Sequence, residues 1–203
     1  MMTSNIPIIL ASSSRFRQQL LHKLGIEFNS LAPQIDESRQ PNESIEQMVA
    51  RLSLSKAQAV SSGHPNAIII ASDQTASLNG KALGKAGNYQ AAFDQLKAQS
   101  GQCIKFYTGL VVYNPIEKIY LNAMDTTLVT FRQLSDTQIH NYLMAEKPYD
   151  CAGSFKSEGL GVCLLERIET LDPNALIGLP LIQLTNLLGQ LGINLPITRP
   201  AAH

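Results

Sequence analysis

Apolar residues run through this chain in two rhythms. Ile6 to Leu10 and Ile68 to Ala71 are short runs bounded by polar or turn-forming residues, and each reads as a buried strand. The second run leads into Ser72-Asp73-Gln74, which places the Asp73 carboxylate where a buried strand runs out. Between the two runs the rhythm is helical. Phe16, Leu20, Leu21 and Leu24 share one helix face, with Gly25 placed as a C-terminal stop. Phe28 to Ala32 reads as a second strand, and Pro33 to Asn42 as a polar loop carrying Asp36-Glu37. Ile45, Met48, Val49 and Leu52 recur at spacings of three and four, predicting a helix that starts near Asn42 or Ser44 and runs to about Ser61.

The later part of the chain follows the same alternation. Asn79-Gly80 is a two-residue hairpin signal. Asn88 caps a predicted helix over Tyr89 to Gln99, closed by Gly101. Cys103 to Tyr113 and Ile119 to Phe131 read as long strands around Asn114-Pro115, the second rich in β-branched residues. Ser135 and Gln138 match a capping box, so a helix begins there and stops before Pro148. Gly153 to Gly161 reads as a polar loop, Val162 to Ile168 as a strand, and Pro180 to Leu191 as a closing helix. Interleaved strands and helices predict an α/β (mixed) fold. The absence of repeats and linkers predicts a single domain over 1–203 with a loose tail at 196–203.

Composition narrows the function. Lys and Arg together number 16, as do Asp and Glu, so the formal net charge is zero and nothing points to a nucleic-acid polymer or a membrane surface. An anionic ligand must then be held by a local basic cluster. The cysteines, Cys103, Cys151 and Cys163, form no CxxC pair and read as reduced thiols. Met1 to Pro7 lacks the charged and apolar regions of a signal peptide, and Ala175 to Leu188 is too interrupted to span a bilayer.

Candidate chemistry gathers at element ends. Ser12, Ser13 and Ser14 form the first strand-to-helix turn, with Arg15 and Arg17 in the helix that follows. A helix N-terminus carries unpaired N–H groups and partial positive charge, which suits a phosphate, and arginine adds a two-pronged donor. One serine alone would serve as an ordinary cap. Asp73 can be read as a carboxylate held over a cleft or as the opening of a turn. Lys56 and Lys85 can reach a cleft or remain solvated. There is no GxxxxGK[ST] loop and no GxSxG elbow, and His22, His64, His140 and His203 have no ligand spacing, which sets aside P-loop kinases, serine hydrolases and zinc sites. Acids, basic side chains and a helix N-terminus suit phosphoryl chemistry.

An ordered set of short motifs sharpens this. Ile9-Leu10-Ala11-Ser12-Ser13-Ser14-Arg15-Phe16-Arg17, Ile35-Asp36-Glu37, Lys56-Ala57, Ser72-Asp73-Gln74, Leu83-Gly84-Lys85, Thr108-Gly109, Val129-Thr130-Phe131-Arg132 and Ile177-Gly178-Leu179-Pro180 together resemble the Maf-like nucleoside triphosphate pyrophosphatases. Ser72-Asp73-Gln74 and the stretch Ala152 to Gly159 are similar to the branch acting on 7-methyl-GTP rather than the branch acting on dTTP and UTP. The resemblance implies an elongated twisted sheet, a cleft between two lobes, and hydrolysis between the α and β phosphates. It also implies a divalent cation (Mg²⁺ or Mn²⁺), a cytoplasmic enzyme, a homodimer as an option, and a link to septum formation. Two positions depart from the family pattern: Gln18 replaces a second arginine and Ala86 replaces a proline.

On that resemblance Asp73 is the expected general base. Ser12, Ser14, Arg17, Lys56 and Lys85 are the expected phosphate ligands, and Glu37 shares the cation with Asp73. Methylation at N7 makes guanine cationic, so Phe16 is expected to stack on it, Glu158 to accept its N–H groups, and Gln74 to complete the edge contacts. Phe16 has a simpler reading as helix core. The rival readings are a pyrophosphatase for dTTP, UTP or another modified nucleotide, and a nucleotide-binding regulator of cell division with weak catalysis.

Overall fold

The sheet is laid out from the isoleucine run. The computed structural model describes residues 6–196, so the expectations for the first five residues and for the tail beyond Pro196 lie outside the described residues. β1 (Ile8–Leu10) leads through a turn into α1 (Arg15–His22), then β2 (Asn29–Ser30) and α2 (Ile45–Ser61). β3 (Ile68–Leu78) and β4 (Lys81–Leu83) form a hairpin, followed by α3 (Tyr89–Gln99), β5 (Cys103–Asn114) and β6 (Ile119–Phe131). α4 (Asp136–Glu146), a 3-10 turn (Leu160–Leu164), β7 (Leu165–Glu169), a second 3-10 turn (Ala175–Ile177) and α5 (Leu181–Gln190) complete the order.

The seven strands form one open sheet in the order β2-β1-β3-β5-β6-β7, with β4 paired to β3. β1 runs parallel to β2 and to β3, and the remaining pairings are antiparallel. This is the mixed α/β architecture expected from the interleaved patterns. Local signals account for most boundaries. Asn79 and Gly80 both take positive φ, 50° and 78°, as a tight hairpin turn between two right-twisted strands requires. Ser44 and Ser135 each close a full capping box, with Gln47 and Gln138 respectively.

Strand alternation sorts the core. Leu10, Ile68, Ile70, Leu110 and Val112 face α1 and α5, where Leu20, Leu21, Leu184 and Leu188 meet them. Their neighbours Ile9, Ile69, Ala71 and Val111 face the opposite way, onto Ala57 and Val60 of α2. A separate cluster covers the far half of the long strands, where Phe106, Val129 and Phe131 pack with Leu96, Ile139, Leu143 and Phe155. Each such aliphatic or aromatic side chain, once fully buried, contributes roughly 1.5–3 kcal/mol. The long strands therefore carry two cores, one at each end, and the ground between them opens as a cleft.

Two strand expectations are corrected. The stretch from Val162 does not start a strand, because Leu160–Leu164 winds as a 3-10 turn and extended structure begins at Leu165. Gly161 and Leu164 are the buried positions there, and a spacing of three fits the 3-10 period. β3 does not run out at Asp73, which lies in the middle of an eleven-residue strand opposite Gly109. It is β1, the neighbour, that stops, at Leu10.

Candidate active site

Because β1 ends while β3 continues, Ser72, Asp73 and Gln74 lose their parallel neighbour and border open space. The turn after β1 and the loop carrying Glu37 close around that space, leaving a cavity of about 530 Å³. Ser12, Ser13, Ser14, Phe16, Arg17, Glu37, Lys56, Asp73, Gln74, Lys85 and Glu158 all line it. Every residue singled out from the sequence is thus brought to one place.

At its floor Lys56 reaches from α2 across to β3. Its Nζ lies 2.6 Å from Asp73 Oδ1 and 2.8 Å from Glu37 Oε1. Lys56 and Asp73 are buried, whereas the Glu37 side chain is 59% exposed. Taking a lone ammonium or carboxylate out of water costs several kcal/mol, so two such groups are buried together only when they satisfy one another. Burial alone would raise the Glu37 carboxyl. The hydrogen bond and charge of Lys56, with Lys85 and Arg17 behind them, outweigh that and hold it below the usual carboxylate range.

The serine turn supplies the helix cap, and its other hydroxyls line the cavity. Ser14 is the N-cap of α1 and accepts weakly from the Arg17 N–H at 3.5 Å. Ser12 is buried, its Oγ accepting from the Ser14 N–H at 3.1 Å and its carbonyl from the Ser30 hydroxyl at 2.6 Å. The Ser12 O–H remains a donor facing the cavity, as does exposed Ser13. Arg17 donates through Nε to the Gly178 carbonyl at 2.8 Å. That contact fixes the guanidinium edge-on and leaves its terminal nitrogens for a ligand. Burial pulls Arg17 below its ordinary value, while the charges of Asp73 and Glu37 pull it back up. Lys85 sits exposed at the opposite lip, its backbone bridged to Ala152.

Strand periodicity divides the Ser-Asp-Gln triplet between two jobs. Asp73 points toward α2, whereas Ser72 and Gln74 point the other way. Ser72 donates to the Gly178 carbonyl at 2.8 Å. The Gln74 amide nitrogen donates to the carbonyls of Ala175 and Leu176 at 2.8 and 3.0 Å, and Thr108 adds a second bond to Ala175 at 3.0 Å. The Gln74 amide hydrogens hold the Ala175–Ile177 turn in place, so its Oε1 is the atom left for the expected contact with the base edge.

The cavity lining carries both signs of charge: Arg15, Arg17, Lys56 and Lys85 line it, and so do Glu37, Asp73, Asp150 and Glu158. Phe16 is half-buried and lines the cavity, with the Arg15 guanidinium 5.0 Å and the Lys156 ammonium 5.7 Å from its ring centre. A ring that already attracts two cations is a suitable face for a cationic base. Asp150, Lys156 and Thr108 were not singled out from the sequence as site residues. Thr108 and Lys156 stood inside quoted motifs, and Asp150 carries no local signal.

The donor set allows a cation only in one manner. Among the described residues no three His, Cys, Asp or Glu side chains converge. Glu37 and Asp73 do converge, both within 2.8 Å of one Lys56 nitrogen. Two carboxylate oxygens suit Mg²⁺ or Mn²⁺ when substrate phosphates and waters complete the shell. No helix of the described residues is long and apolar enough to cross a membrane.

Comparison with known proteins finds relatives along nearly the whole chain. A family model described as Maf-like protein matches residues 7–191. A 7-methyl-GTP pyrophosphatase of Hydrogenovibrio crunogenus is 58% identical over 196 residues, spanning 96% of this chain and 98% of that one. A protein of the same name from Colwellia psychrerythraea is 50% identical over 187 residues, spanning 92% and 94% of the two chains. Among solved structures, the Staphylococcus aureus Ham1 protein superposes with a TM-score of 0.46 at 15% identity, over 76% of this chain and 89% of that one.

Proposed function

The chain belongs to the Maf-like protein family, and from that premise we propose that it is a nucleotide pyrophosphatase that cleaves 7-methyl-GTP between its α and β phosphates. The products are 7-methyl-GMP and pyrophosphate. The observation that carries the reading is the Lys56 ammonium seated between Asp73 and Glu37 beneath the serine turn. A reserve of positive charge lies next to a carboxylate, at the place where a triphosphate would be drawn in.

In this reading the N-terminus of α1 and the hydroxyls of Ser12 and Ser14 hold phosphate oxygens, and Arg17, Lys56 and Lys85 neutralise them. Lys56 engages Asp73 through Oδ1, so Oδ2 is the oxygen that accepts a proton from water. A carboxylate is a weak base at neutral pH, and its usefulness lies in holding that water in line with the α phosphorus. Water adds its oxygen to the α phosphorus, its proton passes to Asp73, and the α–β bridging bond breaks with its electrons leaving on pyrophosphate. Glu37 and Asp73 would hold a divalent cation together with the triphosphate, and the cation would supply charge neutralisation on the phosphate oxygens.

The mixed charge of the cavity supports the choice of base. A triphosphate is anionic and 7-methylguanine is cationic, and the lining offers cations in Arg17, Lys56 and Lys85 and carboxylates in Asp150 and Glu158. Phe16 gives the base a face, and Glu158 accepts its N–H groups. The test is pyrophosphate release from 7-methyl-GTP, GTP, dTTP and UTP, each with and without Mg²⁺ or Mn²⁺. At least a tenfold higher kcat/KM for 7-methyl-GTP, dependent on the cation, is expected. Preference for dTTP or UTP overturns the base assignment, and tight binding without turnover overturns the enzymatic one.

A further inference from the structure

α2 comes close to the sheet at one point, where Ser53 meets the Asp73 main chain. Val49, Ser53 and Lys56 follow one another along the same face of α2, at spacings of four and three. Ser53 is fully buried and its hydroxyl works in both directions, donating to the Val49 carbonyl at 2.8 Å and accepting the Asp73 backbone N–H at 3.0 Å. One turn further on, Lys56 reaches the Asp73 carboxylate. The helix thus grips Asp73 twice, by main chain and by side chain.

Such an approach needs an empty place in the sheet. Directly across from Asp73 on β5 stands Gly109. A Cβ there would lie 2.6 Å from Ser53 Oγ, 3.0 Å from Val49 Cγ1 and 3.1 Å from the Val49 carbonyl oxygen. The serine hydroxyl can rotate away, but the Val49 carbonyl is helix backbone and moves only if the helix moves. Gly109 does not take positive φ, so its requirement is for space and not for a backbone conformation.

We propose that Gly109 and Ser53 are positioning residues for the pyrophosphatase reaction. Gly109 sets the depth of α2 and Ser53 pins that depth to Asp73, so that Lys56 and the Asp73 carboxylate are held in register. This rests on the reading of Asp73 and Lys56 as active groups. Neither Gly109 nor Ser53 lies against the cavity that takes the nucleotide, so they act on turnover more than on substrate binding.

The test measures kcat and KM for 7-methyl-GTP, with Tm recorded for every variant. Gly109→Ala should lower kcat at least tenfold with KM changed less than threefold. Ser53→Ala, which leaves room and cannot clash, should lower kcat about threefold to fivefold. The discriminating arm is a double-mutant cycle with Lys56→Met: once the ammonium is gone, Gly109→Ala should lower kcat no more than twofold further. A purely structural role would leave the Gly109→Ala penalty the same in both backgrounds, and that result overturns the proposal. Should Gly109→Ala not fold, Ser53→Ala and its cycle with Lys56→Met decide in the same way, and unchanged kcat in Ser53→Ala overturns it. Full activity in Asp73→Asn would instead overturn the active-site reading beneath it, so the two failures are told apart.

Discussion

Two buried acidic sites invite comparison. At the cleft, Asp73 is paired with an ammonium and borders open space. On the far side of β6, Asp125 and Asp172 are buried still more completely, at 2% and 1% exposure, and meet only neutral donors. Asp125 Oδ1 takes the hydroxyls of Thr127 and Thr170 at 3.0 and 3.4 Å, while Oδ2 has no partner. Asp172 caps two turns at once, accepting the Asn174 N–H at 2.9 Å and the Ile182 N–H at the start of α5 at 2.6 Å. Burial of a carboxylate is therefore no sign of chemistry in itself. What separates the sites is the partner: the Lys56 ammonium beside a cavity, against hydroxyl and main-chain donors enclosed in the fold.

The difference is open to direct attack. Asp73→Asn should have the largest effect, lowering kcat by about 10²–10⁴-fold, the range typical for loss of a positioned acid or base. Its circular dichroism should match the wild type, and near-wild-type pyrophosphate release would break the contrast at once. Asp172→Ala should act the other way. Unpairing two buried N–H groups costs about 1–3 kcal/mol each, seen as a fall in Tm of several degrees. Its kcat per folded molecule should stay within about threefold of wild type, a change of under 1 kcal/mol in the barrier. A drop in kcat comparable to that of Asp73→Asn would dissolve the distinction.

The smallest effect is expected at Asp125 and is a matter of pH. Burial, with the nearby charge of Asp172, raises the Asp125 carboxyl above its ordinary value, against the hydroxyl contacts that lower it. The folded protein then holds this proton more tightly than the unfolded chain does. The resulting stabilisation is complete below the ordinary carboxylate range, near pH 4, and is lost as pH rises through the raised value. Asparagine has no proton to lose, so between about pH 4 and pH 7 the Tm of the wild type should fall relative to that of Asp125→Asn. Parallel pH profiles for the two proteins would remove Asp125 from the account.

The comparison also marks what the sequence discloses. Turn chemistry is local, so Asn79-Gly80, Asn88 and the Ser135–Gln138 box placed their elements well. Asp73 stood out because an acid following Ile68-Ile69-Ile70 breaks a pattern. Its setting was misjudged, since the end of a strand's neighbour leaves no mark in the strand's own residues. The polar run Ser72 to Ser77 looked like an exit from the sheet, yet Asp73, Thr75 and Ser77 face one side and Ser72, Gln74 and Ala76 the other. Ser53 and Asp172 went unremarked because a helix serine and a loop aspartate are ordinary until their partners are known. Those partners are the Asp73 N–H and the Ile182 N–H. The structural use of the Gln74 amide went unseen for a related reason: its acceptors lie 101 and 102 positions further along the chain.

The clamp on the Ala175–Ile177 turn and its cap Gly178 bears on when the protein can first work. Its donors stand 161, 106, 101 and 67 positions upstream, at Arg17, Ser72, Gln74 and Thr108. Closing such long loops is entropically expensive and comes late in assembly. A chain still emerging from the ribosome would hold its serines, lysine and aspartate before the piece that orients Arg17 has been made. Catalytic competence in this molecule should therefore be withheld until the chain through Gly178 has been made and docked.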